Sequence, residues 1–269
     1  MKVKTLATAA FAIGLLALSS CKKLYDYVEH HPAATSDACR ITQFIVSEDG
    51  LTVTFDVAYD KKGNMTSVVA REGYPVYMNF DQYYRYDKHN QLTDQIIAYH
   101  GYPIAIQWHS YQYAHNRIFD SVYANNGNIS DPTPPVNAPA DKKFFYEFKT
   151  DNYGRIISYN STAVGSGTFQ YNAGGNLTLS SPFGYDNKIN PYRTNNVWQQ
   201  VFRDYSANNP IGYVAPPDYS YAKIVSYNAY GLPTKYVAYD GFRYNGGRFG
   251  FGLDTLVIKY DCDIPKINY

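Results

Sequence analysis

The sequence predicts an all-β protein, an antiparallel meander of about 12–14 strands that forms a curved sheet or a partly or fully closed barrel, with one short helix near 197–205. Three observations carry this. Thirty of the 269 residues are Tyr and 17% are aromatic, and Tyr suits a half-buried sheet because its ring packs while its hydroxyl stays wet. Apolar and polar residues alternate with a period of two along many short runs. A turn motif beginning Tyr-Asp or Tyr-Asn recurs along the chain.

The turn appears as YDKKGNMT (Tyr59–Thr66), YDKHNQLT (Tyr86–Thr93), TDNYGRII (Thr150–Ile157), YNAGGNLT (Tyr171–Thr178) and YNAYGLPT (Tyr227–Thr234). Asp60, Asp87 and Asp151 open their turns because an Asp side chain accepts hydrogen bonds from nearby backbone N–H groups. Two residues then occupy right-handed turn positions. Gly63, Gly154, Gly175 and Gly231 supply the positive φ that returns the chain to the ladder, and Asn90 takes that place in the second copy. A shortened copy, YAHNRI, starts at Tyr113. Tyr59, Tyr86 and Tyr113 follow one another at intervals of 27 residues, so each unit reads as one hairpin of a meander.

The elements follow in chain order. Lys2 and Lys4 precede an apolar run from Leu6 to Leu18, which is short for a membrane span and fits a signal segment over 1–20. The run ends in Leu18-Ser19-Ser20-Cys21. Residues 21–38 read as a tether, with His30 and His31 solvated, and 39–269 as one β domain. Leu51, Val53, Phe55, Val57 and Tyr59 share one strand face. Val76, Met78, Phe80, Tyr84 and Tyr86 do the same, interrupted by Gln82. Phe144, Tyr146 and Phe148 oppose Glu147 and Lys149. Leu256, Ile258 and Tyr260 oppose Lys259 and Asp261. Arg155–Asn160 and Asn176–Ser180 read as short strands. The Pro-rich stretch Ile129–Lys143 reads as a loop. Within Gly184–Pro210, Val197, Trp198, Val201, Phe202 and Tyr205 recur at helical spacing. Asn196 is the expected N-cap of a helix that packs on a sheet edge or plugs an opening.

The LSSC stretch resembles the lipobox of bacterial lipoproteins. That resemblance implies acylation of Cys21 with palmitate-type chains, cleavage before it, and a membrane-held N-terminus. Lys22 after the cysteine points to the outer membrane. The Tyr-Asp units resemble the YD repeats of Rhs-type proteins, in too few copies for a cargo shell. A closer resemblance is to small Gram-negative lipoproteins of unknown function whose β domain is described as porin-like. The lipobox, the CRIT stretch Cys39–Thr42, the hairpins, YDNKINPY (Tyr185–Tyr192) and Asn208-Asn209-Pro210 carry it. The resemblance implies no catalytic residues.

Net charge is +1, and no Lys/Arg run is longer than a pair such as Lys22-Lys23, so nucleic acid is not an expected partner. Cys39 and Cys262 form either a bridge between the ends of the domain or two buried thiols. His109 and His115 lack the further ligands of a zinc site, so neither a metal nor a cofactor is expected. Asp186 and Asp204 are either a carboxylate pair of a glycan hydrolase or, in Asp186, a turn former. The stretches Gly165–Gly167 and Gly246–Gly252 lack the strand-to-helix context of a phosphate loop and read as turns or bulges. Alternation puts Tyr83, Tyr111, Tyr159 and Tyr227 on wetter faces, where they form a candidate glycan- or protein-binding strip. The expected function is a lipid-anchored, non-catalytic envelope module that binds a glycan or an envelope protein. A membrane pore and a carbohydrate hydrolase are the alternatives.

Overall fold

The computed structural model describes residues 39–48, 50–71, 80–101, 105–124, 143–178, 184–210, 222–238 and 255–262. The signal segment, the tether with Cys21, nearly all of the Pro-rich stretch and Gly246–Gly252 lie outside them.

Fifteen strands lie among the described residues. The first ten run as a continuous meander: β1 (Arg40–Glu48), β2 (Leu51–Tyr59), β3 (Met65–Ala70), β4 (Phe80–Tyr86), β5 (Leu92–Tyr99), β6 (Ala105–Ala114), β7 (Arg117–Ala124), β8 (Lys143–Thr150), β9 (Ile156–Ser161) and β10 (Gly165–Thr168). After an insert, β13 (Ala222–Tyr227), β14 (Pro233–Ala238) and β15 (Thr255–Asp261) return to the sheet on the other side of β1. The result is one 13-stranded antiparallel sheet, β10 to β1 and then β15, β14, β13, which is not closed. The remaining two strands, β11 (Tyr185–Ile189) and β12 (Asn208–Pro210), pair with each other inside the insert.

The first and last strands meet because Ile41, Phe44 and Val46 lie opposite Tyr260, Ile258 and Leu256. Cys39 and Cys262, which flank this seam, are joined by a disulfide with their Cα atoms 4.0 Å apart. At a sequence separation of 223, such a link contributes on the order of 5 kcal/mol in the chain-entropy picture.

The strand register sets apolar pairs against one another on one face of the sheet. Phe44 faces Phe55 on one side and Ile258 on the other, Val57 faces Val68, and Ile118 faces Phe148. These side chains form the main core together with the insert. The insert runs from β11 through a 3-10 turn (Pro191–Thr194) to helix α1 (Asn196–Phe202) and then β12. Trp198 of α1 meets Phe44 edge-on at 5.7 Å and Tyr84 at 6.4 Å. Arg203, just past the helix, sits over Tyr146 at 4.8 Å and Phe148 at 4.7 Å. In a flat sheet β1 and β8 would be roughly 34 Å apart at about 4.8 Å per strand. A seven-residue helix is about 10 Å long. The insert therefore touches β1, β4 and β8 only because the sheet curls around it.

Three expectations about elements are corrected. The N-cap is Asn195, whose side chain accepts the Val197 N–H, rather than Asn196. The helix stops at Phe202 rather than near 205, because Arg203 turns left-handed (φ 54°) and its N–H returns to the carbonyls of Gln199 and Gln200. Over Asn176–Thr178, the described part of the expected strand Asn176–Ser180, there is only an isolated bridge, between Tyr171 and Leu177. The backbone there is taken by the insert instead: Leu177 N–H donates to Ser206 Oγ, and the side chain of Asn176 accepts from the Asn208 N–H.

Candidate functional site

The site is built from the repeated turns. In the first, Asp60 Oδ1 accepts the N–H groups of Lys62 (2.8 Å) and Asn64 (2.9 Å), while Gly63 N–H donates to the Asp60 carbonyl. Asp87 holds His89 and Gln91 in the same way, and Asp151 holds Tyr153 and Arg155. Asn228 repeats both bonds, to Tyr230 and Leu232, and Asn172 holds Asn176. The fifth residue of each copy has positive φ: Gly63 87°, Asn90 62°, Gly154 78°, Gly175 75° and Gly231 77°. Hydrogen bonding from Asn64, led by its side chain, holds the Asp60 carboxyl below the usual range. For Asp87 the N–H of Gln91 leads the same effect.

Tyrosines at strand ends stitch neighbouring hairpins together. Tyr86 donates its hydroxyl to the carbonyl of Met65 (2.7 Å), Tyr113 to Leu92 (2.8 Å), Tyr171 to Ile156 (3.1 Å) and Tyr260 to Pro233 (2.7 Å). Each acceptor is the residue two positions past the positive-φ residue of an earlier hairpin. The 27-residue interval thus fixes the rim of the sheet at its turn end.

A partly enclosed cavity of about 720 Å³ lies at that end. Its rim comes from four successive turns through Lys62, Asn90, His115 and Gly154, and its inner wall from the 3-10 turn and α1. The volume falls within the range of about 300–1,000 Å³ usual for small-ligand sites. The lining is rich in amides, including Asn64, Asn90, Asn195, Gln199 and Gln200, and no Asp or Glu lines it among the described residues. Gln200 donates to the Tyr113 hydroxyl (2.9 Å) and is thereby fixed. Gln199 is different. It is 1% exposed, and neither atom of its amide has a hydrogen-bond partner among the described residues. Leaving such a group unsatisfied costs about 1–3 kcal/mol. Burial pushes the Tyr113 hydroxyl up to about 12 and those of Tyr86 and Tyr205 upward as well. All three therefore stay protonated at neutral pH.

A smaller cavity of about 260 Å³ lies toward the other end of α1, lined among others by Gln82, Gln95, His109, Tyr111 and Asp120. Its polar groups satisfy one another. Tyr111 donates to Gln95, Gln95 to Gln82, and His109 Nδ1 pairs with Asp120 at 2.9 Å.

The candidate residues from sequence fare differently. The four tyrosines do not form a strip. Tyr111 is buried in the main core, Tyr83 packs on the opposite face beside Trp108, and Tyr159 crosses Gly167 and meets Phe169. Tyr227 alone is well exposed among them, and its hydroxyl is held by Asp186 at 2.6 Å. The alternation argument fails because buried ring and bonded hydroxyl place tyrosine equally well on either face. Asp186 also accepts from Lys188 N–H and Asn209, whereas Asp204 serves Ser206 N–H and Asn190. The two share no hydrogen-bond partner, and each anchors a turn or the insert. His109 lies within the sheet and His115 at its turn end, and no three His, Cys, Asp or Glu side chains among the described residues are placed to share a metal ion. Sequence reasoning missed Gln199 and Arg40. The signal for Gln199 was present: a glutamine pair sits between Trp198 and Val201 in a helix otherwise apolar on that side.

Neither a protein-family model nor a curated protein matches the chain. Nineteen chains of solved structures match, two porin-like proteins among them. A porin-like protein from Bacteroides vulgatus matches with 12% identity and a TM-score of 0.32, over 82% of this chain and 98% of that one. A porin-like protein from Bacteroides uniformis matches with 11% identity and a TM-score of 0.33, over 86% of this chain and 98% of that one. A likeness at this level carries no functional argument.

Proposed function

We propose that this chain is a non-catalytic envelope module, tethered through lipid on Cys21, that binds a glycan in the cavity between the repeated turns and α1. The observation that carries the reading is the buried amide of Gln199. An amide offers two donors and an acceptor, and a pair of neighbouring sugar hydroxyls satisfies both sides. The surrounding amides and protonated tyrosine hydroxyls suit the same chemistry.

The strand register favours this reading over a pore. Gln43, Asp56, Arg85, Asp94, Glu147, Lys149 and Asn160 alternate with the apolar core row, which sends them to the outside of the curled sheet. A lipid-facing band requires apolar residues there. Asp186 and Asp204, with separate structural partners, give the hydrolase reading no acid pair.

Calorimetry of the full chain against a panel of neutral and acidic oligosaccharides tests the binding. Gln199→Leu is expected to abolish binding while leaving the urea midpoint unchanged or raised, since it removes a penalty of about 1–3 kcal/mol. A clear loss of stability would make Gln199 a structural residue, and no binding across the panel would end the reading. For the tether, fatty-acid labelling in cells is expected to vanish in Cys21→Ser; labelling that persists would place the anchor elsewhere.

A further inference from the structure

Resting on the glycan reading of the same cavity, we infer that the ligand is carboxylated, a sugar of the uronic-acid type whose carboxylate sits against Arg40 and Lys62. Both cations line the cavity at its β1 and β2–β3 end. Arg40 is exposed at the start of β1, and its guanidinium lies directly over Gly63, where an added Cβ would stand 3.1 Å from it. Among the described residues no carboxylate lies within ion-pair distance of Arg40, although Asp261 stands opposite it across the β1–β15 seam; its guanidinium also lies 5.7 Å from the centre of the Tyr59 ring. Lys62 makes no ion pair among the described residues; its Nζ donates to Asn90 Oδ1 at 3.0 Å, and its charge is felt by Asp60 of the same turn. A third cation on the lining, Arg117, is already committed to Glu147.

The nearest acids do not cancel this charge by direct contact. Asp60, Asp87 and Asp151 do not line the cavity, and each turns a carboxylate oxygen onto two backbone N–H groups of its own turn. Asp151 is further paired with Arg155 at 2.8 Å. With tyrosines and amides making up much of the remaining wall and no carboxylate on it among the described residues, the charged side chains of the lining are positive. A guanidinium fork and an adjacent ammonium match a carboxylate, with charge-assisted hydrogen bonds about twice as strong as neutral ones. Hydroxyls on the same ring are left for the amides elsewhere on the lining, Asn90 and Gln199 among them. The two cations and the orphaned amide thus define a charged end and a neutral end of one site.

The test uses calorimetry on the full chain with a uronic-acid trisaccharide and the same trisaccharide after reduction of its carboxyl groups. The acid is expected to bind about tenfold more tightly than the reduced sugar, and the difference should shrink as salt rises. Arg40→Gln and, separately, Lys62→Gln should remove most of the difference while leaving the reduced sugar unaffected. Both residues are exposed, so neither change threatens the fold. Equal binding of the two sugars, or equal loss of both in Arg40→Gln, would overturn the carboxylate assignment and leave the glycan reading standing. Failure of both sugars to bind, together with every other sugar tried, would remove the glycan reading and this inference with it.

Discussion

Gly63 and Gly154 occupy equivalent places in two turns, with φ of 87° and 78°, yet their surroundings differ. A Cβ at Gly154 would meet open space, whereas one at Gly63 would press on the Arg40 guanidinium at 3.1 Å. Gly154→Ala is expected to cost about 1 kcal/mol from the left-handed backbone alone. Gly63→Ala should cost at least as much and also displace Arg40, weakening binding of an acidic sugar. Urea midpoints and calorimetry on both variants check this; equal effects on binding would detach Arg40 from the site. Gly63, Asn90 and Gly154 were legible in the sequence because a positive-φ residue three places after an Asp is a local signature. Arg40 was not, since what makes it part of the cavity is a turn more than twenty residues downstream folding beneath it.

Strands and hairpins were read well because their signals are also local: period-two alternation sets the buried face, and the turn sets the register. Gln82 looked like an interruption in β4, but it is buried and accepts the Tyr84 hydroxyl at 2.6 Å, so a polar residue can hold a core position when a tyrosine beside it supplies the proton. The insert was half legible. Its helix was anticipated from Val197, Trp198, Val201 and Phe202, but its ends were not, because they depend on Asn195 reaching Val197 and on the reversal at Arg203. The tyrosine spacing was visible without its purpose. Replacing Tyr86 with Phe is expected to cost about 1 kcal/mol, as the Met65 carbonyl loses its donor. Denaturation of the variant measures it, and no loss would show that the stitch between hairpins is incidental.

At the scale of the molecule, one open sheet curls around the 184–210 insert, and the seam between β1 and β15 is stapled by Cys39–Cys262. The all-β meander was legible from composition and repeats. Its centre was not: which segment fills the curl depends on contacts such as Trp198 with Phe44, more than 150 residues apart. The cavity exists only through that closure, since four hairpin turns form its rim and the insert its wall, and no single stretch of chain contains it. The most direct measurement is a titration of the full chain, labelled with nitrogen-15, with the best-binding oligosaccharide of the calorimetric panel, following side-chain amide resonances. The Gln199, Asn64 and Asn90 amides are expected to shift first and furthest. Shifts confined to residues on the outer face, around Phe119 and Phe145, with the Gln199 amide unmoved, would contradict the account.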